Sequence, residues 1–263
     1  MIKKTPFFND RVSGGGYMYE KLAKFYYKYP DEYQNEYNRR FTSYATVNLK
    51  LSIKPLKANE EFQCFYVNHQ DLALDYSKIM KNTNIIQAMM MNLPTSVLQH
   101  YVQSKMVDEL VNTNKIEGVR STRAEMKRVL VIETPQKKIR FWSFVNTYRL
   151  LLENSARTKV ENPQMIREIY DDLIADEMDA NDSLDGKLFR ANGVDVVDGS
   201  QKIIHKGVVP EEKIIASLEK MLIFLNDYPA PELYKIAIAH YYFGYVHPFY
   251  DGNVTQGYKI KVA

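Results

Sequence analysis

Residues 236–253 read IAIAHYYFGYVHPFYDGN and carry the most informative pattern in the chain. The apolar run to Val246 predicts a helix that brings His247 to its C-terminal end, where Pro248 prevents the helix from continuing. Residues 251–253, Asp-Gly-Asn, form a turn that can open a second helix, whose free N–H groups and positive dipole end suit a phosphate. The segment therefore combines a histidine base, a carboxylate able to hold Mg²⁺ and an anion-binding turn, which favours phosphoryl or nucleotidyl transfer.

A structural interpretation of the same residues stays open. Asp, Gly and Asn are common in turns, so the segment also fits a helix–turn–helix corner with a structural histidine. Residue chemistry alone does not separate this corner from a catalytic site.

From about residue 71 onward the chain is dominated by helical periodicity. Prolines near the first turns of three predicted helices support these assignments, since a first-turn proline loses no hydrogen bond. The predicted helices after residue 94 span residues 96–112 or beyond, 138–157, 163–178, 211–226 and 231–246.

A short β-hairpin is predicted within residues 189–207, FRANGVDVVDGSQKIIHKG. Asn192-Gly193 is a strong turn signal, and the valines that follow favour a strand. We interpret His205, near this hairpin, as a solvated loop residue. The sequence thus predicts a helical domain interrupted by one hairpin.

The first 70 residues differ from the rest. Residues 46–56 alternate apolar and polar side chains and residues 62–67 are largely apolar, which predicts two strands beside polar helical segments. We therefore expect an α+β segment at residues 1–70 and a mainly α domain at residues 71–263. Many of the 20 tyrosines lie in the first third, and we interpret them as a half-exposed packing surface.

Composition excludes several functional classes. With 45% hydrophobic and 25% charged residues and a mean hydropathy of −0.40, the chain has no apolar run that predicts a transmembrane helix. A net charge of +3 is too small to drive nucleic-acid or membrane binding by bulk electrostatics. The single cysteine, Cys64, excludes an intramolecular disulfide and a cysteine metal cage, which fits a cytoplasmic protein.

The segment HPFYDGN, residues 247–253, resembles the opening of the Fic signature, HPFx(D/E)GNGRxxR, at all six fixed positions through the Asn. The helix before it resembles the helix that precedes that signature, and FRANGVDVV followed by HKG resembles the family's flap, at about residues 188–197. Residues 113–118, TNKIEG, match the inhibitory pattern (S/T)xxxE(G/N), on a helix at about residues 96–118. The resemblance covers roughly residues 71–253 and implies a Fic-type helical domain with a β-hairpin flap.

The resemblance implies a protein adenylyl transferase, or AMPylator, that uses Mg·ATP and a target protein. His247 would be the general base that deprotonates a Ser, Thr or Tyr hydroxyl, and Asp251 would hold Mg²⁺. Gly252 and Asn253 would bind phosphate, and Phe249 would pack inward to fix the loop. The flap residues that would dock the target are Phe189, Arg190, Asn192, Gly193 and Val194.

An autoinhibitory residue is also implied by the resemblance. Glu117 would have this role, with Thr113 one turn earlier on the same helix face and Gly118 directly after it. Taken alone, Glu117-Gly118 also fits an ordinary helix C-terminus, with a glycine just past the end.

After Asn253 the sequence departs from the signature. The pattern requires Gly-Arg-x-x-Arg, whereas residues 254–258 read VTQGY. Neither Thr255 nor Tyr258 can supply the planar cationic fork that would hold phosphate and pair with Glu117. We therefore expect severely weakened catalysis and no autoinhibition of the family type. We hypothesise a Fic protein truncated within its motif, as a frameshift would produce.

Two functions from different classes follow. The first is a protein adenylyl transferase, impaired by the altered motif. The second is a catalytically inactive Fic-like module that regulates by binding nucleotide, or a peptide along the hairpin edge. No winged helix follows the motif, so direct nucleic-acid binding is not expected.

Overall fold

A computed structural model describes residues 20–56, 58–116, 119–153, 159–174, 184–197 and 200–250. The fold is mainly α, as predicted, with two small two-stranded sheets among these residues. The N-terminal elements are α1 (Leu22–Lys28), a 3₁₀ turn (Pro30–Glu32), α2 (Tyr33–Phe41), β1 (Thr46–Ile53), β2 (Phe62–Val67) and α3 (Gln70–Met91). The later elements are α4 (Thr95–Ile116), α5 (Arg123–Leu130), α6 (Trp142–Glu153), α7 (Pro163–Ile174), β3 (Asp195–Val197), β4 (Ile203–Lys206), α8 (Glu211–Asp227) and α9 (Glu232–Val246).

Two compact units divide the chain. The first consists of residues 1–48 and 65–86, and the second consists of residues 49–64 and 87–263. Most of the β1–β2 ribbon thus groups with the later helices, and α3 is shared between the units. A domain boundary near residue 70 stays a prediction.

The first unit is held by aromatic side chains. Tyr37 stacks on Phe41 with ring centroids 5.8 Å apart, and both rings meet the edge of Phe65 at 5.5 Å. Arg40 is buried beside them, where it donates to the carboxylate of Glu36 at 2.6 Å and to the carbonyl of Glu20 at 2.7 Å. These contacts satisfy the buried guanidinium and fix α2 in place.

In the second unit, α4, α5 and α6 share one apolar core. Its buried members are Met106, Val107, Leu110, Met126, Val129, Phe141, Phe144 and Val145. The sequence analysis missed α5, although its start has a clear signal. Thr122 accepts from the backbone N–H of Glu125, and the Glu125 carboxylate accepts from the N–H of Thr122, forming a capping box.

Helices α8 and α9 pack against each other, and two tyrosines of α9 hydrogen-bond to residues at the end of β1 and just after it. The hydroxyl of Tyr242 donates to the carbonyl of Ser52 at 3.1 Å, and the N–H of Lys54 donates to the hydroxyl of Tyr245 at 2.6 Å. Residues 52 and 54 therefore help to hold the helix that precedes the HPFYDGN segment. No helix in the described ranges combines the length and apolarity that crossing a bilayer requires.

The predicted hairpin is present, but its turn is elsewhere. β3 pairs antiparallel with β4, with Asp195 opposite Lys206 and Val196 opposite His205. The chain therefore reverses between Val197 and Ile203, and the prediction of a turn at Asn192-Gly193 is wrong. Asn192 instead lies ahead of β3, where hydrogen bonds with Arg190 and Asp185 hold it.

Candidate functional site

His247 ends α9. It adopts the left-handed conformation, with φ of 52° and ψ of 60°, and its N–H donates to the carbonyl of Phe243 at 2.9 Å. Histidine tolerates this region better than most non-glycine residues, and the Pro248 that follows disfavours further helix. The sequence therefore predicted correctly that the helix stops here and presents a histidine at its end.

The main chain at the end of α9 is held by the hairpin region. A helix leaves its last carbonyls without partners in the helix. Here His205 donates from Nε2 to the carbonyl of Tyr245 at 2.6 Å, and the N–H of Val208 donates to the carbonyl of Val246 at 3.1 Å. His205 is thus half-buried and bonded to α9, so its interpretation as a solvated loop residue is wrong.

Arg190 supplies further contacts to the end of α9. Its side chain is fully buried, and its Nε donates to the carbonyl of His247 at 2.7 Å. Its Nη2 donates to the carbonyls of Val208 at 2.9 Å and Val246 at 3.3 Å, and its Nη1 donates to that of Asn192 at 2.6 Å. The backbone N–H of Arg190 also donates to the carbonyl of Pro248 at 3.2 Å. Burial lowers the pKa of this guanidinium, which nevertheless stays protonated in proteins.

Phe249 packs inward, as predicted. Its ring is fully buried, stacks on Tyr170 of α7 with centroids 3.8 Å apart, and meets the edge of Phe189 at 5.4 Å. The three rings join α7, the segment before β3 and the loop after α9. The ring contacts of Phe249 and the hydrogen bonds of Arg190 to His247 and Pro248 therefore hold the same short loop.

Asp185 links the same segments from the surface. Its carboxylate accepts from the N–H of Ala191 at 2.7 Å and from the hydroxyl of Tyr250 at 2.8 Å, and it also accepts from the main-chain and side-chain amides of Asn192. The Ala191 N–H is the main cause that lowers the pKa of Asp185 to about 2. Tyr250 is the variable position of the signature, so this contact anchors the motif loop to the segment before β3.

Glu211 holds the chain just before Phe189. This first-turn residue of α8 accepts from the N–H groups of Lys187 at 3.0 Å, Leu188 at 2.7 Å and Phe189 at 2.9 Å. Burial by itself would raise the pKa of Glu211, but these three N–H groups lower it overall. The sequence analysis missed Asp185 and Glu211, because nothing in the local sequence indicates partners six to 65 residues away.

The predicted site residues fall into three groups. One network of contacts brings together His247, Phe249, Phe189, Arg190 and Asn192. The carbonyl of Val194 accepts from the N–H of Gly207 at 2.9 Å. Gly193, the residue before Val194, is exposed. Thr113 is buried on α4. The helix predicted at about residues 96–118 is observed as far as Ile116. Asp251, Gly252, Asn253, Glu117 and Gly118 lie outside the described residues, and their roles stay predictions.

Because Gly207 has no side chain, the guanidinium of Arg190 can lie directly against its backbone. This close approach gives a first testable prediction. A Cβ on Gly207 would overlap Nη2 of Arg190 and lie 2.7 Å from Cγ1 of Val194. Gly207→Ala is therefore expected to lower the free energy of unfolding by about 1–3 kcal/mol, the usual cost of overpacking. Urea unfolding followed by circular dichroism measures this change.

Gly193→Ala is the matched control, since a Cβ there meets no atom within 4 Å. Its free energy of unfolding should stay within about 0.5 kcal/mol of the wild type. Equal effects of the two substitutions would show that the crowding at Arg190 has no energetic consequence.

The comparisons with known proteins agree with this architecture. The model of the Fic/DOC family matches residues 161–257, which include α7, the hairpin, α8, α9 and the HPFYDGN segment. A solved structure of a Fic family protein from Desulfovibrio desulfuricans G20 superposes with a TM-score of 0.51 at 18% identity, over 73% of this chain. The chain spans about 55% of the length of that structure. No curated protein gives a significant match to the sequence.

Proposed function

Because the chain carries a Fic/DOC family domain at residues 161–257, we propose that it is a protein adenylyl transferase that moves AMP from Mg·ATP to a protein hydroxyl. The observation that supports this most is the placement of His247. The residue ends α9 in a left-handed conformation, and the carbonyls around it are bonded to the hairpin region. A base held at a fixed position next to a prospective target site is what proton transfer requires.

The reaction balances as a single displacement. The imidazole of His247 takes the proton of a Ser, Thr or Tyr hydroxyl, whose oxygen forms a bond to the α-phosphorus of ATP. The bond from that phosphorus to the bridging oxygen of the β-phosphate breaks, and pyrophosphate leaves with Mg²⁺. In this proposal the Asp251 carboxylate holds the Mg²⁺ that enters with ATP, and the turn at Gly252 and Asn253 receives phosphate oxygens.

The target and the compartment follow from the same proposal. A target segment would dock beside the β3–β4 hairpin, which lies next to the end of α9 through the His205 contact. We propose a cytoplasmic location, where ATP is abundant and a lone Cys64 stays reduced.

The test is incubation of the purified chain and a lysate with ATP labelled at the α-phosphate. Labelling that depends on the added chain should be seen with this ATP, whereas ATP labelled at the γ-phosphate should give the same protein labelling with and without the chain. His247→Ala should abolish the labelling, and His100→Ala, at an exposed histidine of α4, should leave it unchanged. Absence of α-label from the wild-type chain at any enzyme concentration would contradict the proposal.

A second candidate function is a catalytically inactive Fic-like module that binds nucleotide or a peptide. The sequence VTQGY at residues 254–258, in place of Gly-Arg-x-x-Arg, favours it, because two phosphate-binding arginines are missing. Calorimetric binding of Mg·ATP without any protein labelling would support this function over the first.

A further inference from the structure

Arg190 is a buried charge whose side-chain hydrogen bonds, within the part of the chain that the structure describes, all go to main-chain carbonyls. Removing a guanidinium from water is costly, and an apolar side chain of similar length would fill the same space without that cost. The carbonyls of Val246 and His247 offset part of it, since they form the negative end of the α9 dipole. The presence of an arginine at this buried position is therefore best explained by the backbone carbonyls that its N–H groups hold in place.

What Arg190 holds is the peptide chain on both sides of His247. Its side chain binds the carbonyls of Val246 and His247, and its own N–H binds the carbonyl of Pro248. Three successive carbonyls are thus oriented by one residue. Because the carbonyls on both sides of His247 are held, its φ and ψ are fixed, and these two angles set the direction in which its side chain leaves the backbone.

The same guanidinium also binds the chain on both sides of the hairpin. It reaches the carbonyl of Asn192 before β3 and that of Val208 after β4. One planar group with five donors in fixed directions therefore sets the distance between the hairpin and the end of α9.

We propose that Arg190 is a positioning residue that orients the imidazole of His247 relative to the hairpin. This inference rests on the proposed function for its effect on rate, but its effect on His247 orientation does not depend on that function. A lysine in its place presents one compact ammonium, which cannot reach carbonyls that three separate nitrogens of the arginine now contact.

The experiment compares Arg190→Lys with Arg167→Lys. Arg167 is the matched control, because its Nη1 donates to the carbonyl of Leu188 at 3.0 Å and so makes the same kind of bond to the same segment without contacting residues 246–248. Each protein is assayed well below its melting temperature for kcat of AMP transfer, and the ring signals of His247, assigned with His247→Gln, are recorded by NMR.

Arg190→Lys should lower kcat by about 100-fold, the usual consequence of a base displaced by roughly 1 Å, and should shift the His247 ring signals. Arg167→Lys should change kcat by less than about threefold and leave those signals in place. A folded Arg190→Lys protein with wild-type kcat and unshifted His247 signals would overturn the inference.

This design separates failure of the proposed function from failure of the proposed role of Arg190. If the wild-type chain transfers no AMP, the proposed function fails, and the His247 ring signals alone then decide the role of Arg190. If Arg190→Lys does not fold, Gly207→Ala serves as the second variant, because its Cβ pushes on the guanidinium without removing it. Gly207→Ala should shift the His247 signals and Gly193→Ala should not; unshifted signals in Gly207→Ala would reject the inference.

Discussion

Restoring the phosphate-binding end of the motif is expected to raise the rate of AMP transfer by about 100- to 1,000-fold. The variant is V254G/T255R/Y258R, which places Gly-Arg-x-x-Arg directly after Asn253. Each arginine offers a planar fork to phosphate oxygens as negative charge moves toward the leaving pyrophosphate, whereas Thr255 and Tyr258 offer neutral hydroxyls. The measurement is the initial rate of protein labelling from ATP labelled at the α-phosphate.

A charge-matched control shows whether position or charge alone is responsible. V254G/Q256R/G257R carries the same glycine and the same two added charges, but its arginines are at the wrong spacing. It should stay within about threefold of the wild-type rate, since electrostatic stabilisation depends on donors aimed at the developing charge. Equal gains in the two variants would mean that added positive charge, not motif geometry, limits the reaction.

The restored variant also tests the predicted role of Glu117. With an arginine partner present again, Glu117 should hold part of the population inactive, so adding Glu117→Gly to the restored chain should increase labelling further. Glu117→Gly in the otherwise unchanged chain should have no effect, because the partner is missing there. An effect of the same size in both backgrounds would contradict the predicted ion pair.

Local patterns in the sequence were sufficient for most helices and for the end of α9. Helix ends depend on nearby residues, as at Pro248, so a short window contains most of the information. α8 was predicted at residues 211–226 and runs Glu211–Asp227, while α6 was predicted to begin at residue 138 and begins at Trp142. The capping box at Thr122 shows that α5 could also have been found from its sequence.

The contacts that build the site could not be predicted in the same way. Arg190 and His247 are 57 positions apart, and the carbonyls that Arg190 binds are present at every residue, so no side-chain pattern marks them. The Asn192-Gly193 turn signal failed for a different reason. Arg190 and Asp185, two and seven residues before Asn192, both bind it, and these bonds outweigh the preference of the dipeptide for a tight turn.

The resemblance to the Fic family grouped residues 189–194 with His247 and Phe249, which the structure also brings together, but it did not distinguish buried from exposed residues among them. It assigned both Phe189 and Arg190 to target docking, and the structure buries both side chains completely. Docking by these two residues stays a prediction, while their packing against Phe249 and around His247 is observed. Matching a motif assigns a role to each sequence position, whereas the burial of Phe189 and Arg190 depends on how these residues pack against α7 and the end of α9.

Phe249→Ala is expected to lower the free energy of unfolding of the second unit by about 3–5 kcal/mol, the usual cost of a large aromatic truncation in a core. The ring is fully buried between Tyr170 and Phe189, so its removal leaves a cavity beside both. The loop cannot easily collapse into that cavity, because Arg190 holds the carbonyls of His247 and Pro248, the two residues directly before Phe249. Urea unfolding followed by the fluorescence of Trp142 and by circular dichroism gives the value.

Two comparisons show whether the loss comes from the aromatic stack or from truncation in general. Ile223→Ala, at an α8 side chain that is 63% exposed, should cost no more than about 0.5 kcal/mol. A double-mutant cycle with Tyr170→Leu and Phe249→Leu isolates the contact between the rings, for which about 0.5–1.5 kcal/mol beyond area burial is expected. A coupling energy near zero would mean that the two rings fill space independently, and the loop would then depend on the Arg190 hydrogen bonds and the Asp185 contact with Tyr250 for its position.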